Sequence, residues 1–230
     1  MTETTYDVMY FQFPGMADIS RLILETVGAK YTNTFITDES FKPIKHEQRF
    51  GKVPRLTVKK PDGTVSYVWE SKAIHEYLAE VFNLLPDGAS SDPLLRAECM
   101  SNIHSLYEQM DRLMMMRIMP TLELRKVVRD MSVADKLPKA LEYHEKIVAQ
   151  SGGTYYFGNK LTLPDLILYA LNVRFKRYFG EGVLINETVT PSLYKLVQSL
   201  EAGKPGEYVR ERSDWGKRKW DTEQLTYVAV

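Results

Sequence analysis

The hydrophobic periodicity of this chain changes at residues 83–93 (NLLPDGASSDP), a segment rich in proline, glycine and small polar residues. Before this segment, runs of β-forming residues alternate with runs at helical spacing, whereas helical spacing alone follows it. Because each pattern needs its own packing partners, we expect two domains. They are an α/β domain at residues 1–82 and an all-α domain at residues 94–230, with residues 83–93 as the linker.

The first domain opens with the pattern of a strand, a helix and a second strand. Residues 6–11 (YDVMYF) and residues 31–36 (YTNTFI) are rich in β-forming residues. Between them, apolar and small residues recur at helical spacing up to Gly28, which stands where a helix C-cap is expected. This order favours two parallel strands joined by a right-handed crossover.

A hairpin and another helix are predicted to complete this domain. Residues 55–59 and 64–69 alternate in polarity around the sequence PDG at residues 61–63, in which proline and glycine suit a tight turn. Glu70 and Ser71 then precede a run at helical spacing, and Ser71 is predicted to cap that helix. The domain is therefore predicted to be a small mixed sheet with helices.

The second domain has helical periodicity throughout. Thr162 and Asp165 form a capping-box sequence, whose interpretation is structural. The predicted helices are residues 94–119, 133–150, 163–179 and 191–202, with a short turn of helix at 206–212.

Composition excludes several classes of function. Thirty Lys and Arg residues balance thirty Asp and Glu residues, so no net charge favours nucleic acid or an anionic membrane. One cysteine, Cys99, excludes a Cys-x-x-Cys redox motif and a multi-cysteine metal site. No apolar run reaches the ~18 residues of a membrane span, and no secretion signal opens the sequence. We therefore expect a cytoplasmic protein that binds no metal.

Three sites could carry chemistry, and each has a structural alternative. Tyr10 ends the first strand, where its hydroxyl can donate to an anion or its ring can pack in the core. A cis bond at Val53-Pro54 could offer the backbone of Val53 to a bound peptide, although a trans proline at a strand start is commoner. Glu70 and Ser71 open a helix whose N-terminus can bind a carboxylate, or Ser71 caps the helix only.

Four motifs, in this order, resemble those of the cytosolic glutathione transferases: Tyr10 with Phe11, FGKVP at residues 50–54, ESKAI at residues 70–74 and GNKLTLPD at residues 158–165. The resemblance extends from Tyr6 to about Arg212. It implies a thioredoxin-like N-terminal domain, an all-helical C-terminal domain, glutathione as co-substrate and a homodimer. Within the family, the chain is most similar to the sigma class.

The resemblance implies that Tyr10 is catalytic and that the cis form of Pro54 is present. A hydrogen bond from the neutral tyrosine to the glutathione sulfur favours the thiolate, which is the reactive nucleophile. The thiolate then attacks an apolar electrophile, or supports isomerisation or peroxide reduction. The implied glutathione-binding residues are Phe41 (a tryptophan in the class), Lys45 at the glycine carboxylate, Lys52, Val53 at the cysteinyl backbone, Pro54, and Glu70 with Ser71 at the γ-glutamyl end.

Met16 stands where the sigma class has an arginine that helps to activate the thiol, so the activity could be weak or depend on another cation. A protein that keeps the fold but binds a ligand or serves a structural role is therefore the alternative. The tail from about residue 213, with Trp215, Trp220 and Tyr227, exceeds the usual family length. We expect it to be a surface segment rather than a cover of the site.

In the family, the electrophile binds between the two domains. Glu108 and Asp111 are the candidates for an acidic contact across the dimer. The residues expected in the electrophile pocket, most of which could instead be core residues, are Phe13, Met16, Tyr107, Met110, Asp111 and Met114.

Overall fold

The computed structural model describes residues 3–214. Within this range, residues 3–84 and 204–214 form one compact unit, and residues 85–203 form a second. The part of the predicted tail that carries Trp215, Trp220 and Tyr227 lies outside the described residues.

The first unit is built on a four-stranded mixed sheet with the order β2-β1-β3-β4. β1 pairs in parallel with β2 and antiparallel with β3, which forms an antiparallel hairpin with β4. The parallel pair and the hairpin are as predicted, and Gly63 supplies the positive φ (87°) of the turn. The strands are β1 (Thr5–Phe11), β2 (Tyr31–Ile36), β3 (Arg55–Lys59) and β4 (Val65–Trp69).

Three helices accompany this sheet: α1 (Asp18–Val27), α2 (Asp38–Ile44) and α3 (Ser71–Val81). α1 and α3 pack against each other, and Gly28 ends α1 in the left-handed conformation (φ 69°), as predicted. α2 was not predicted, because none of its residues is buried and it therefore has no apolar stripe. The local feature that could have indicated α2 is the capping box that Thr37 forms with Ser40 at the start of the helix.

The start of α3 corrects one prediction. Glu70, rather than Ser71, occupies the N-cap position, and its side chain makes no capping bond. Ser71 is the first residue of the helix and is buried. Its hydroxyl therefore does not cap α3.

The second unit consists of helices, and α4 packs on α7 while α8 packs on both α6 and α7. α5 was not predicted as a separate helix, because it has no buried residue. None of the helices between residues 3 and 214 combines the length and hydrophobicity that a transmembrane span requires. The elements are α4 (Pro93–Ile118), α5 (Leu122–Met131), a π-helical turn (Ser132–Lys136), α6 (Leu137–Gln150), α7 (Leu163–Phe179) and α8 (Pro191–Glu201).

The last described helix, α9 (Lys204–Glu211), belongs to the first unit, whereas the sequence placed it in the all-α domain. The reason is the buried carboxylate of Asp18 at the start of α1. It accepts hydrogen bonds from the Tyr208 hydroxyl (3.0 Å) and from the Arg212 guanidinium (2.8 Å). A buried carboxylate needs such partners, and they tie α9 to α1.

The capping box at Thr162 and Asp165 is present, as predicted. Asp165 is fully buried and accepts the backbone N–H groups of Tyr156 (2.9 Å) and Thr162 (2.7 Å). Burial raises the pKa of Asp165 to about 7, although these bonds act in the opposite direction. The box therefore fixes the loop before α7 to the start of that helix.

A buried histidine lies beside this loop. His144 of α6 is 2% exposed, and its Nδ1 and Nε2 atoms lie 2.8 Å from the Tyr156 hydroxyl and 3.0 Å from the Ser105 hydroxyl. Burial disfavours the imidazolium and lowers the pKa of His144 to about 4.

We therefore predict that His144 stays neutral in the folded protein down to about pH 5. Its imidazole carbon and proton resonances, followed by NMR in histidine-labelled protein, should titrate near pH 4. Because an unfolded histidine binds its proton near pH 6.5, this site lowers the free energy of unfolding as the pH falls between about 6.5 and 4. A midpoint near 6.5 in the folded protein would contradict the prediction.

Candidate functional site

A cavity of about 150 Å³ lies in the first unit, beside the N-terminus of α3. It brings together five of the predicted glutathione-binding residues and Met16, which was predicted for the electrophile pocket. It also includes two aromatic residues that the sequence did not assign to the site, Phe50 and Trp69. The lining residues are Met16, Phe50, Lys52, Val53, Pro54, Trp69, Glu70 and Ser71.

One side of the cavity offers backbone groups. The Val53–Pro54 peptide bond is cis, the form that the family resemblance implies. Among residues 3–214, the N–H and C=O groups of Val53 have no hydrogen-bond partner. A half-buried backbone with both groups unpaired can bind an extended peptide in the manner of an added strand.

Another part of the cavity lining is the first turn of α3. Within the described part of the chain, the Ser71 hydroxyl has no hydrogen-bond partner. Helix N-termini carry partial positive charge and favour carboxylates. Glu70 lies at this turn with φ 67° and ψ 121°, a conformation that costs a non-glycine residue about 1–3 kcal/mol. Such strain is commonest at binding and active sites, and here it lies at the cavity.

Tyr10 does not line the cavity but is connected to it through Met16. The backbone N–H of Met16 donates to the Tyr10 hydroxyl oxygen over 3.3 Å. A hydroxyl that accepts an N–H can still donate its own proton. The Tyr10 side chain is 7% exposed, and its ring packs against Phe11 and Phe13 at centroid distances of 5.6 and 5.4 Å.

Gly15 contributes to the placement of the Tyr10 ring. A Cβ atom at Gly15 would lie 2.6 Å from Cε1 and 2.7 Å from the hydroxyl oxygen of Tyr10. Only a residue without a side chain allows this approach. The position of Gly15 directly after Pro14 is the one local signal that could have pointed to this close approach.

The two remaining predicted glutathione-binding residues lie outside the cavity lining. The half-buried ring of Phe41 on α2 contacts Phe11 at a centroid distance of 6.1 Å. Lys45 is exposed, and its side chain lies beside Gly51. A Cβ atom added at Gly51 would lie 3.6 Å from Cε of Lys45. Phe41 is thus part of the aromatic cluster around Tyr10, and Lys45 lies beside the loop that carries Lys52.

The residues predicted for the electrophile pocket fall in both units. In the first, Phe13 is 9% exposed and packs on Tyr10. In the second, the α4 residues share one helix face; Tyr107 is 1% exposed, and the sulfur of the buried Met110 lies 3.2 Å from Arg174 of α7. Asp111 and Met114 of the same face are exposed.

Glu108, the other acidic residue considered for a contact across a dimer, pairs with Arg112 on the same helix. Among residues 3–214, no group of three or more His, Cys, Asp or Glu side chains is placed to hold a metal ion.

Arg21, which is fully buried on α1 near Tyr10, was not predicted from the sequence to be a site residue. The available signal was a charged residue within the apolar face of a predicted helix, between Ile19 and Leu22. Buried arginines need a reason for their position because they almost never lose their charge.

A protein-family model and individual proteins of known function both show similarity to this chain. Residues 110–205 match the family model described as "Glutathione S-transferase, C-terminal domain". The chain is 29% identical over 171 residues to glutathione S-transferase 1 of Ascaris suum, covering 71% of this chain and 76% of that protein. It is 28% identical over 169 residues to a glutathione S-transferase of Dirofilaria immitis, covering 72% of this chain and 74% of that one.

Solved structures agree on the fold. A sigma class glutathione transferase of Fasciola hepatica is similar with a TM-score of 0.78 at 25% identity, covering 92% of this chain and 98% of that one. Prostaglandin synthase D of Nilaparvata lugens has a TM-score of 0.74 at 19% identity, covering 90% and 98%. The latter likeness concerns the fold alone.

We predict that Gly15→Ala displaces the Tyr10 ring, because the new Cβ would overlap two of its atoms. Overpacking of this kind lowers the free energy of unfolding by about 1–3 kcal/mol. The measurement is chemical denaturation together with NMR of tyrosine-labelled protein, in which the Tyr10 ring resonances should shift.

Gly63→Ala is the control, because nothing lies within 4 Å of its added Cβ. It should lose stability through its positive φ alone and leave the Tyr10 resonances unchanged. Unshifted Tyr10 resonances in Gly15→Ala would show that Gly15 does not set the position of the ring.

Proposed function

We propose that this chain, a glutathione transferase by fold and by sequence similarity, ionises the glutathione thiol with the hydroxyl of Tyr10. The thiolate then attacks an apolar electrophile and forms a thioether. The observation that carries the proposal is the cavity that joins Lys52, Val53, Glu70 and Ser71 to Met16, whose amide binds the Tyr10 hydroxyl.

The charges around the cavity suit the ends of the tripeptide. Glutathione has a carboxylate and an ammonium group at its γ-glutamyl end and a second carboxylate at its glycine end. Ser71 and the N-terminus of α3 can bind the first carboxylate, while Glu70 can pair with the ammonium group. Lys45 and Lys52, both exposed, supply cations for the glycine carboxylate.

The centre of the peptide has its own partner. The free N–H and C=O of Val53 can pair with the cysteinyl backbone, as one strand pairs with another. This pairing fixes the cysteinyl residue between the two charged ends. Its sulfur then points toward the Tyr10 hydroxyl in the arrangement that we propose.

The chemistry follows from one hydrogen bond. The Tyr10 oxygen accepts a hydrogen bond from the Met16 N–H. The hydroxyl keeps its own proton and uses it to donate a hydrogen bond to the sulfur. The thiol proton leaves to solvent, so the sulfur carries the negative charge. A hydrogen bond to a charged group contributes about 1.5–3 kcal/mol, which lowers the thiol pKa by about one to two units. In the attack, sulfur forms a bond to the electrophilic carbon as the leaving group departs with its electron pair.

The proposal also includes two further reactions of the thiolate, isomerisation and peroxide reduction. Isomerisation and peroxide reduction need the same thiolate but a different electrophile. The homodimer, the cytoplasmic location and the pocket roles of Phe13, Met16, Tyr107, Met110, Asp111 and Met114 stay predictions of the family resemblance.

We predict that Tyr10→Phe lowers kcat/KM at pH ~7 by about 10- to 100-fold, because one hydrogen bond to the thiolate is lost. The assay follows conjugation of glutathione to 1-chloro-2,4-dinitrobenzene across a pH series. The rise of kcat/KM with pH should also move upward by about one to two units.

Tyr143→Phe is the matched control, because Tyr143 is 67% exposed on α6 in the other unit. It should behave like the parent. Equal activity and an equal pH profile in parent and Tyr10→Phe would overturn the tyrosine mechanism. Binding of an apolar ligand without turnover would instead favour the alternative of a ligand-binding protein with this fold.

A further inference from the structure

Arg21 is a buried cation beside Tyr10. It lies in the first turn of α1 with no exposed surface. Its Cζ atom lies 5.9 Å from the centroid of the Tyr10 ring and 5.4 Å from that of Phe35. These distances fall within the range in which an aromatic ring attracts a guanidinium.

Two hydrogen bonds hold the guanidinium in this position. Its Nε donates to Oδ1 of Asn33 on β2 over 2.7 Å, and an Nη atom donates to the carbonyl oxygen of Phe13 over 3.5 Å. Phe13 belongs to the loop that follows β1 and continues through Gly15 to Met16. Arg21 thus contacts both the ring of Tyr10 and the loop whose Met16 amide binds the Tyr10 hydroxyl.

The titratable groups that face Arg21 come from four elements. Asp18 lies one turn earlier on α1, Tyr10 lies on β1, Tyr31 lies on β2 and Tyr208 lies on α9. Both oxygens of Asp18 bind the C-terminal segment of the first unit, through the hydroxyl of Tyr208 on α9 and the guanidinium of Arg212, which directly follows α9. The Tyr31 hydroxyl donates to Glu25 over 2.7 Å. Asp18 and the neighbouring tyrosines also attract the charge of Arg21, whose guanidinium lies against the rings of Tyr10 and Phe35 as well.

We propose that Arg21 is a positioning residue for Tyr10: its buried charge behind the tyrosine ring favours the negative charge that develops at the bound sulfur. The inference rests on the proposed function. Arg21 supplies a positive charge near Tyr10. Residue 16 cannot do so, because its methionine side chain carries no charge. Arg21 acts through Tyr10 and is not expected to touch glutathione.

Burial strengthens this effect. It lowers the pKa of the Arg21 guanidinium, and the neighbouring Tyr208, Asp18, Tyr31 and Tyr10 act in the opposite direction. Arginine nevertheless stays protonated at any working pH. A fixed charge away from water is screened far less than a surface charge at the same distance.

The test measures the pKa of the bound glutathione thiol from the ultraviolet absorption of the thiolate as a function of pH. Arg21→Gln removes the charge and should raise this thiol pKa by about one unit. Arg21→Lys keeps the charge and should retain most of the parent value. The affinity for glutathione, measured at a pH where the thiol is protonated, should not change in either variant.

Asn33→Asp is the second variant, because Arg21→Gln loses two buried hydrogen bonds and can fail to fold. The aspartate is isosteric with asparagine and keeps the acceptor for Nε, but its charge neutralises that of Arg21. It should therefore also raise the thiol pKa. Lys146→Gln is the matched control: Lys146 lies 5.6 Å from the Tyr143 ring on α6, and its loss changes the net charge by the same amount.

The outcomes separate the two proposals. If Tyr10→Phe leaves the thiol pKa unchanged, the tyrosine mechanism is wrong, and the role of Arg21 with it. If Tyr10→Phe raises the thiol pKa but Asn33→Asp and any folded Arg21→Gln protein keep the parent value, the role of Arg21 alone is overturned. A thiol pKa that rises equally in Lys146→Gln would show a general charge effect and would also overturn it.

Discussion

The buried carboxylate of Asp18 is the interaction on which the first unit depends. It lies at the first turn of α1 and binds Tyr208 and Arg212 of the C-terminal segment, about 190 residues later. Removing one partner of such a buried pair costs about 3–5 kcal/mol, because the other charge is left without compensation. The pair therefore fixes the start of α1, and with it the loop from Phe13 to Met16 and the position of Arg21.

Everything proposed for the reaction follows from that fixed loop. Gly15 lets the loop pass against the Tyr10 ring, and the Met16 amide binds the Tyr10 hydroxyl. Phe13 contributes a ring on one side of Tyr10 and a carbonyl oxygen for Arg21. In the proposed mechanism, backbone groups and a remote arginine therefore act near the glutathione sulfur, although the side chain of residue 16 is apolar. The loop can accordingly accept a methionine at this position without losing its hold on Tyr10.

The sequence predicted those parts of the fold in which burial leaves a periodic pattern. The four strands, the hairpin at Gly63 and the cap at Gly28 have local signals and were predicted within a residue or so. α2 and α5 were missed because neither has a buried residue, so no apolar stripe marks them. The link between Asp18 and α9 joins residues far apart in the chain, and no local pattern reveals it.

The candidate site shows the same division. Motif resemblance identified Lys52, Val53, Glu70 and Ser71, which line one cavity. It did not identify Trp69, Gly15 or Arg21, whose contacts at the site arise from close approach in three dimensions. Ser71 was predicted to cap its helix, yet the positive φ of Glu70 starts α3 differently and leaves the serine hydroxyl available.

The central claim is that the protein binds glutathione with its thiol ionised at neutral pH. The most direct measurement is the ultraviolet difference spectrum of glutathione bound to the unaltered protein, titrated with pH. We predict a thiolate band with a midpoint at about pH 6.5 to 7.5, below the ~8.5 of a free thiol. A midpoint equal to that of free glutathione, despite saturating binding, would contradict the account.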